Sequence, residues 1–384
     1  MSYNLRPSAV AETFGSDTLK RIMTIAYAAG LLLLLTGMSL AQENGVVDLQ
    51  RPPVPLPRDM PKLSPLVADD AAAWATQREK LRAAWEKVLG PLPKTKAPLN
   101  AQVLATEDLP EFTRQHVTYQ IEEGVMTDGY LLTPKTPAPK AGFPAMVVFH
   151  PTVKSHAKEP AGIECERAER LHGPQLVKRG YVVLCPRCFI FADGADYKTH
   201  VANLQARHSD WTGMLRMLYD GIRAADYLET LSNVDKSRFG CFGHSLGAKE
   251  TLYSAAFDER FKVAVFSEGG IGLPFSNWDA VWYLGKQIKE VGRASLPADG
   301  HGGPPHLALD HHQLISLIAP RGFLLLAGES ADNDKSWAYI EAALPVYKLL
   351  GVPQNIGWFN HRKDHTYPPE AQTVTESFIE RMLK

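Results

Sequence analysis

Gly243-His244-Ser245-Leu246-Gly247 spells G-x-S-x-G, between a short apolar stretch (Arg238-Phe239-Gly240-Cys241-Phe242) and a strong helix former over residues 248–256. Strand, sharp turn and helix make the setting in which a serine is exposed as a nucleophile. The glycines let the backbone take a turn that a side chain would block. Ser245 is therefore expected at the tip of the turn, with the amide of Leu246 beside it at a helix N-terminus. A Gly-Ser turn without chemistry is the plainer alternative. The presence downstream of an acid and a histidine, in the order this nucleophile needs, favours catalysis.

A serine hydroxyl needs a base to take its proton, and the base needs an acid to orient it. With 13 histidines in the chain, position must choose among them. His365 follows the last expected strand and precedes the closing helix, where the base belongs; His361 is its competitor. His311 and His312 are expected to frame the pocket or the core. For the acid, Asp332 and Asp334 lie on the loop after the expected strand at 322–327, with Glu329 beside them. They rank ahead of Glu268, which ends the preceding strand in Ser267-Glu268-Gly269-Gly270. Acyl transfer also needs donors aimed at the developing oxyanion. Leu246 N–H is one. Pro151 has no amide hydrogen, so Thr152 or Val153, after the strand ending Val147-Val148-Phe149-His150, supplies the other. Lys249, Trp278 and Trp282 are candidate substrate contacts. No defensible metal set appears: His200, His208 and Asp210 match no ligand spacing, and Asp210-Trp211 reads as a helix N-cap and a packed aromatic.

The elements that must position these groups follow from periodicity and breakers. A hairpin is expected from 115–121 and 125–133 around Glu122-Glu123-Gly124. Further strands are expected at 143–150, 181–185, 238–242, 261–267, 322–327 and 355–360. Helices are expected at 71–89, 166–179, 211–231, 335–350 and 369–383, with the sheet starting near Arg114. This alternation implies an α/β domain with a mostly parallel sheet covered on both faces. About fifty residues separate the strands ending at Ser267 and starting at Gly322, an insertion long enough for a lid or substrate wall. It spans 269–310 and carries Phe275, Trp278, Trp282, Tyr283, His301 and His306.

The chain has 384 residues, 45% apolar and 22% charged, with a net charge of −1. That is ordinary globular composition and gives no electrostatic footprint for a nucleic-acid partner. Lys20-Arg21 precede an apolar run over 22–40, closed by Ser39-Leu40-Ala41, which reads as a signal peptide over 1–41. An uncleaved anchor is the alternative. The expectation is export, to the periplasm or beyond, with no stable membrane insertion after cleavage. Residues 42–109 read as a proline-rich lead-in and an N-terminal helix, and 110–384 as the catalytic domain. Four cysteines, 165, 185, 188 and 241, include a C-x-x-C pair after a strand, read as structural thiols or a local disulfide.

Several stretches together resemble the secreted carbohydrate-esterase branch of the α/β-hydrolases: acetyl xylan esterases, glucuronoyl esterases and dienelactone-hydrolase-like proteins. They are Gly221-Ile222-Arg223-Ala224-Ala225-Asp226-Tyr227-Leu228, Val234-Asp235, the Ser245 turn, Phe257-Asp258-Glu259-Arg260-Phe261, Ser267-Glu268-Gly269-Gly270, and Asp310-His311-His312 through Ile318-Ala319-Pro320-Arg321. The last two look most like glucuronoyl esterases, some of which take their acid from the Glu268 position. The resemblance implies an α/β-hydrolase fold and a serine esterase that needs no cofactor and acts on a small-molecule or polysaccharide ester. A serine peptidase of the same fold and a non-catalytic binding protein on a hydrolase scaffold are the alternatives. One departure stands out: these enzymes carry Arg directly after the nucleophile, where this chain has Leu246. That substitution leads to the expectation that acetyl or aryl esters are cleaved faster than methyl glucuronate esters.

Overall fold

Long apolar runs dominate the centre of the chain, and they become the buried strands of one twisted sheet. The computed structural model describes residues 48–165, 167–192, 194–291 and 309–384. The signal-peptide segment, His301, His306 and the middle of the insertion lie outside the described residues. The strands are β1 (Gln102–Asp108), β2 (Phe112–Glu122), β3 (Val125–Pro134), β4 (Phe143–Phe149), β5 (Val182–Pro186), β6 (Val234–His244), β7 (Phe261–Ser267), β8 (Gly322–Ala327) and β9 (Ile356–Asn360). Their order in the sheet is β1-β2-β3-β5-β4-β6-β7-β8-β9. The pairs from β1 to β5 are antiparallel, and those from β5 through β4 to β9 are parallel. Strands β4, β5 and β8 are buried at every position, as a sheet covered on both faces requires.

The helices are α1 (Ala71–Leu89), α2 (His172–Lys178), α3 (Tyr197–Arg207), α4 (Gly213–Glu229), α5 (Leu246–Phe257), α6 (His311–Ile318), α7 (Trp337–Leu349) and α8 (Pro369–Leu383). Asp70 caps α1 by accepting from Ala73 N–H at 2.8 Å. Helix α1 buries Trp74, Trp85, Val88 and Leu89 and lays Trp85 parallel to the His311 ring, centroids 5.8 Å apart. The α4 cap is Thr212, which accepts from Leu215 N–H at 3.0 Å, rather than the expected Asp210. Helix α2 is much shorter than the expected 166–179. Pro174 lacks an N–H and tolerates only the first turn of a helix, so the helix cannot run through it from upstream. The extended lead-in is tied down as well: Trp358 N–H donates to Leu49 O at 2.7 Å and Leu66 N–H to Ala342 O at 3.3 Å. Leu49–Lys384 pack as one compact unit.

Strand β1 was not anticipated. All seven of its residues are exposed, so it has none of the in-out alternation that marks a strand in a sequence. The four thiols are free, and Cys185, Cys188 and Cys241 are buried; burial raises their pKa values above the usual thiol range. They serve as small apolar side chains.

Candidate active site

The site lies at the carboxyl ends of the parallel strands, where the loops after β4, β6, β7, β8 and β9 converge. Ser245 follows β6 and precedes α5 with φ 58° and ψ −117°. Such a backbone is strained for a residue with a Cβ and persists only where the surroundings impose it. Two supports are visible. Ser245 N–H donates to Ser267 O at 2.8 Å, hanging the turn on the end of β7. A Cβ placed on Gly247 would meet the Phe149 carbonyl oxygen at 2.3 Å, so only glycine lets the turn sit against the end of β4. Pro151 and Thr152 follow Phe149 in the chain, and Thr152 is exposed.

The histidine and the acid meet from different strands. His365, in the loop after β9, places Nδ1 3.0 Å from Glu268 Oε2. Its ring lies 4.5 Å, centroid to centroid, from the ring of His244, the neighbour of Ser245. Glu268 stands directly after β7 with φ 46°, so acid and serine both occupy the left-handed region. A side chain on Gly328 would meet Glu268 Oε1 at 2.5 Å; its absence lets the carboxylate lie over the end of β8. The carboxylate is sheltered from solvent and surrounded by donors. Thr366 N–H donates to Oε1 at 3.3 Å, and Ser330 O–H donates to Oε2. His361 Nε2 is 2.8 Å from Oε1, short of good hydrogen-bond alignment. Burial alone would raise the carboxyl pKa. The contacts from His361, His365 and Ser330 outweigh it and hold the group at about 2.

Asp332 and Asp334, ranked ahead of Glu268 from the sequence, are placed elsewhere. Asp332 is buried and accepts Gly270 N–H at 2.7 Å and Ile271 N–H at 2.6 Å, so it pins the loop after β7. Burial raises its pKa to about 6, against the pull of those two amides. Asp334 accepts from Asn360 at 2.8 Å and from Arg362 at 2.7 Å. Neither contacts His365. Glu329 is exposed. His361 is buried and accepts Lys363 N–H on Nδ1 at 3.2 Å, which leaves the ring proton on Nε2.

The expected substrate contacts also need revision. Trp278 is fully buried, so it cannot stack on a sugar. Its Nε1–H donates to Gly270 O at 2.8 Å. Lys249 Nζ sits 3.8 Å from the Trp278 ring centroid and 4.8 Å from that of Tyr283. It also donates to Ser276 Oγ at 2.9 Å and Asn277 Oδ1 at 3.1 Å. The described part of the insertion is thus pinned to α5 by a buried ammonium between aromatic faces. Trp282 is half-buried and meets Tyr197 edge to face at 5.3 Å. Leu246 is buried.

His150 is buried. Its Nδ1 donates to Pro151 O at 2.7 Å and its Nε2 accepts Cys188 N–H at 3.1 Å, and burial holds its pKa at about 4. His311 belongs to the core, with Nε2 2.9 Å from Tyr253 Oη. His208 lies against Glu122 and stacks on Trp211. No metal-ligand cluster is found among the described residues. A cleft of about 130 Å³ opens beside the acid, lined by Phe275, Ser330, Asp332, Asn333, Lys335 and Tyr339 among others. Ser330, which touches both acid and histidine, was not singled out from the sequence; a lone serine on an exposed loop carries no pattern.

Comparison with known proteins bears on the fold and on the class of chemistry. Residues 209–351 match the family model described as glucuronyl esterase, fungi. The chain is 25% identical over 187 residues to the 4-O-methyl-glucuronoyl methylesterase of Hypocrea jecorina, a stretch covering 42% of this chain and 38% of that protein. It is 29% identical over 143 residues to carbohydrate esterase MZ0003 of an unknown prokaryotic organism, covering 34% and 31%. The matches thus span well under half of these curated relatives. Among solved structures, a glucuronoyl esterase from Solibacter usitatus superposes with a TM-score of 0.67 at 18% identity, covering 86% of this chain and 99% of that one. The fold is that of the α/β-hydrolases, and the likenesses support a carbohydrate esterase of that type.

Proposed function

We propose that this protein is a serine-type carboxylic ester hydrolase acting on an ester substituent of a plant polysaccharide, with Ser245 as nucleophile, His365 as base and Glu268 as the orienting acid. The observation that carries this is the 3.0 Å contact of Glu268 Oε2 with His365 Nδ1 beside a strained serine turn. With Nδ1 committed to the carboxylate, Nε2 is the nitrogen left to take the Ser245 proton. Ser245 Oγ then attacks the ester carbonyl. The amide of Leu246, at the N-terminus of α5, and that of Thr152 are the donors proposed for the oxyanion. His365 passes its proton to the leaving alcohol and the acyl-enzyme forms; His365 then takes a proton from water, which attacks the acyl carbonyl, and returns it to Ser245 Oγ as the acid leaves. Glu268 stabilises the imidazolium without taking its proton.

The family-model match and the glucuronoyl methylesterase relatives support a uronate ester as substrate. Leu246, however, offers no side-chain donor to the ester carbonyl, and Lys249 is occupied with the insertion. On those residues we expect acetyl or aryl esters to be cleaved faster than methyl glucuronate esters. The experiment compares wild type and Ser245→Ala on p-nitrophenyl acetate, acetylated xylan and a methyl glucuronate ester. Ser245→Ala should lose on the order of 10⁶ in kcat; near-wild-type turnover would remove the serine mechanism. A tenfold or greater preference in kcat/KM for the glucuronate ester, about 1.4 kcal/mol, would overturn the substrate ranking. The export reading rests on the apolar run at 22–40.

A further inference from the structure

The Glu268–His365 pair has a third member from a separate strand. Ser330, in the loop after β8, places Oγ 3.1 Å from His365 Nδ1 while donating to Glu268 Oε2. Nothing in the proposed reaction requires a hydroxyl there. The donor inventory settles its orientation. An ionised carboxylate only accepts, so the Ser330 proton lies on the Glu268 side. The lone pairs of Oγ are then left for the Nδ1–H of His365. That one proton faces two acceptors, Oε2 at 3.0 Å and Oγ at 3.1 Å. Rotating the imidazole away breaks both contacts at once.

We propose that Ser330 is a positioning residue for the acid–base pair, fixing the orientation of His365 and stapling the β7 loop, which carries Glu268, to the β8 loop. The inference rests on the triad reading above. It also accounts for how the acid stands where it does. The loop after β8 supplies a hydroxyl beside His365, and its nearby carboxylates, Asp332 and Asp334, are engaged with Gly270, Ile271, Asn360 and Arg362. Oε1 of Glu268 is held from the other side by Thr366 N–H. Without Ser330, Oε2 keeps His365 as its one hydrogen-bond partner among the described residues, and the carboxylate gains freedom to turn about the last bond of its side chain. Ser330 is exposed and lines the cleft beside Phe275 and Asn333, so water can enter the space of a deleted hydroxyl. Water replaces the hydrogen bond but not its fixed direction, which keeps the expected loss moderate.

The test uses Ser330→Ala and Ser330→Thr in the full chain, with Glu268→Gln and His365→Ala alongside. Turnover of p-nitrophenyl acetate and the low-field Nδ1–H proton resonance of His365 are measured on each, and the melting temperature reports folding. Ser330→Ala should lower kcat about tenfold, a size in keeping with one charge-assisted hydrogen bond, at unchanged KM and melting temperature, and shift the resonance upfield. Ser330→Thr, which keeps the hydroxyl, should return kcat to within about threefold of wild type. An Ala variant with wild-type kcat and an unmoved resonance overturns the proposal. So does a Thr variant as impaired as Ala, since the hydroxyl would then not be the operative group. If Glu268→Gln and His365→Ala also retain activity, the triad reading itself has failed; if they are inactive while Ser330→Ala is not, only the role of Ser330 has.

Discussion

Replacing Glu268 by glutamine is the sharpest perturbation of the proposed site. The substitution keeps the side-chain volume and removes one charge from a group that is 1% exposed. In catalysis that charge faces the imidazolium formed when His365 takes the serine proton. Opposite charges about 4 Å apart at an effective dielectric of about 20 attract by about 4 kcal/mol, roughly a thousandfold in rate. A second loss is geometric. The carboxylate accepts from Thr366, Ser330 and His365 with two oxygens. An amide has one acceptor oxygen, and its NH2 turned towards Nδ1 favours the wrong tautomer of His365. Together these place the expected fall in kcat at about 10³–10⁴, the scale known for orienting acids in serine triads. The assay is steady-state hydrolysis of p-nitrophenyl acetate by Glu268→Gln, Asp332→Asn and Asp334→Asn, each checked for folding by its melting temperature. Asp334→Asn should stay within about threefold of wild type, because Asp334 pairs with Asn360 and Arg362 near the surface. The reasoning is refuted if Glu268→Gln retains more than about a tenth of wild-type kcat while a folded Asp332→Asn or Asp334→Asn variant loses a thousandfold.

Three further outcomes follow from the same geometry. The Glu268 carboxyl is lowered from 4.5 to about 2, so its ionised form stabilises the fold above pH 4.5 and that stability is lost as pH falls through about 2. Wild type should lose about 3 kcal/mol more than Glu268→Gln over this window in denaturant titrations, and equal slopes would argue against the carboxylate cage. Gly247→Ala should cost at least about 2 kcal/mol of stability and more than a hundredfold in activity, since its Cβ would lie 2.3 Å from a backbone oxygen that cannot move aside; an active, stable variant would contradict the packing of the turn on β4. Trp278→Ala should destabilise by about 3–5 kcal/mol and Trp282→Ala by under about 2 kcal/mol, because Trp278 is fully buried while Trp282 is partly exposed. Equal effects in chemical denaturation would mean that Trp278 is not the anchor of the insertion.

The sequence by itself determined the parts whose cause is local. Strands β4 to β9 could be read because strands inside a doubly covered sheet are apolar runs bounded by breakers. Helices α1 and α8 match the expected 71–89 and 369–383, the first from apolar residues near one face and a stop at Gly90-Pro91. The serine turn needs only two close glycines between a strand and a helix, so five residues announce it. The proposed base, His365, ranks ahead of His361 by its place after the last strand and before the closing helix. Tertiary structure decided the rest. Exposed β1 exists through pairing with β2, so its own side chains carry no signal. Helix α6 is only eight residues long and buried at every position, so its polar His312, Gln313 and Ser316 mark no solvent-facing side. The choice of the proposed acid was beyond the sequence for a physical reason: Glu268, Asp332 and Asp334 are all carboxylates in segments that follow strands, and what separates them is partners brought from elsewhere. Asp332 is engaged by amides of the β7 loop, Asp334 by Asn360 and Arg362, and Glu268 by His365, Ser330 and Thr366. In the same way an aromatic looks alike in sequence whether it faces a ligand or a lysine. Only the packing of the insertion on α5 shows that Trp278 faces Lys249.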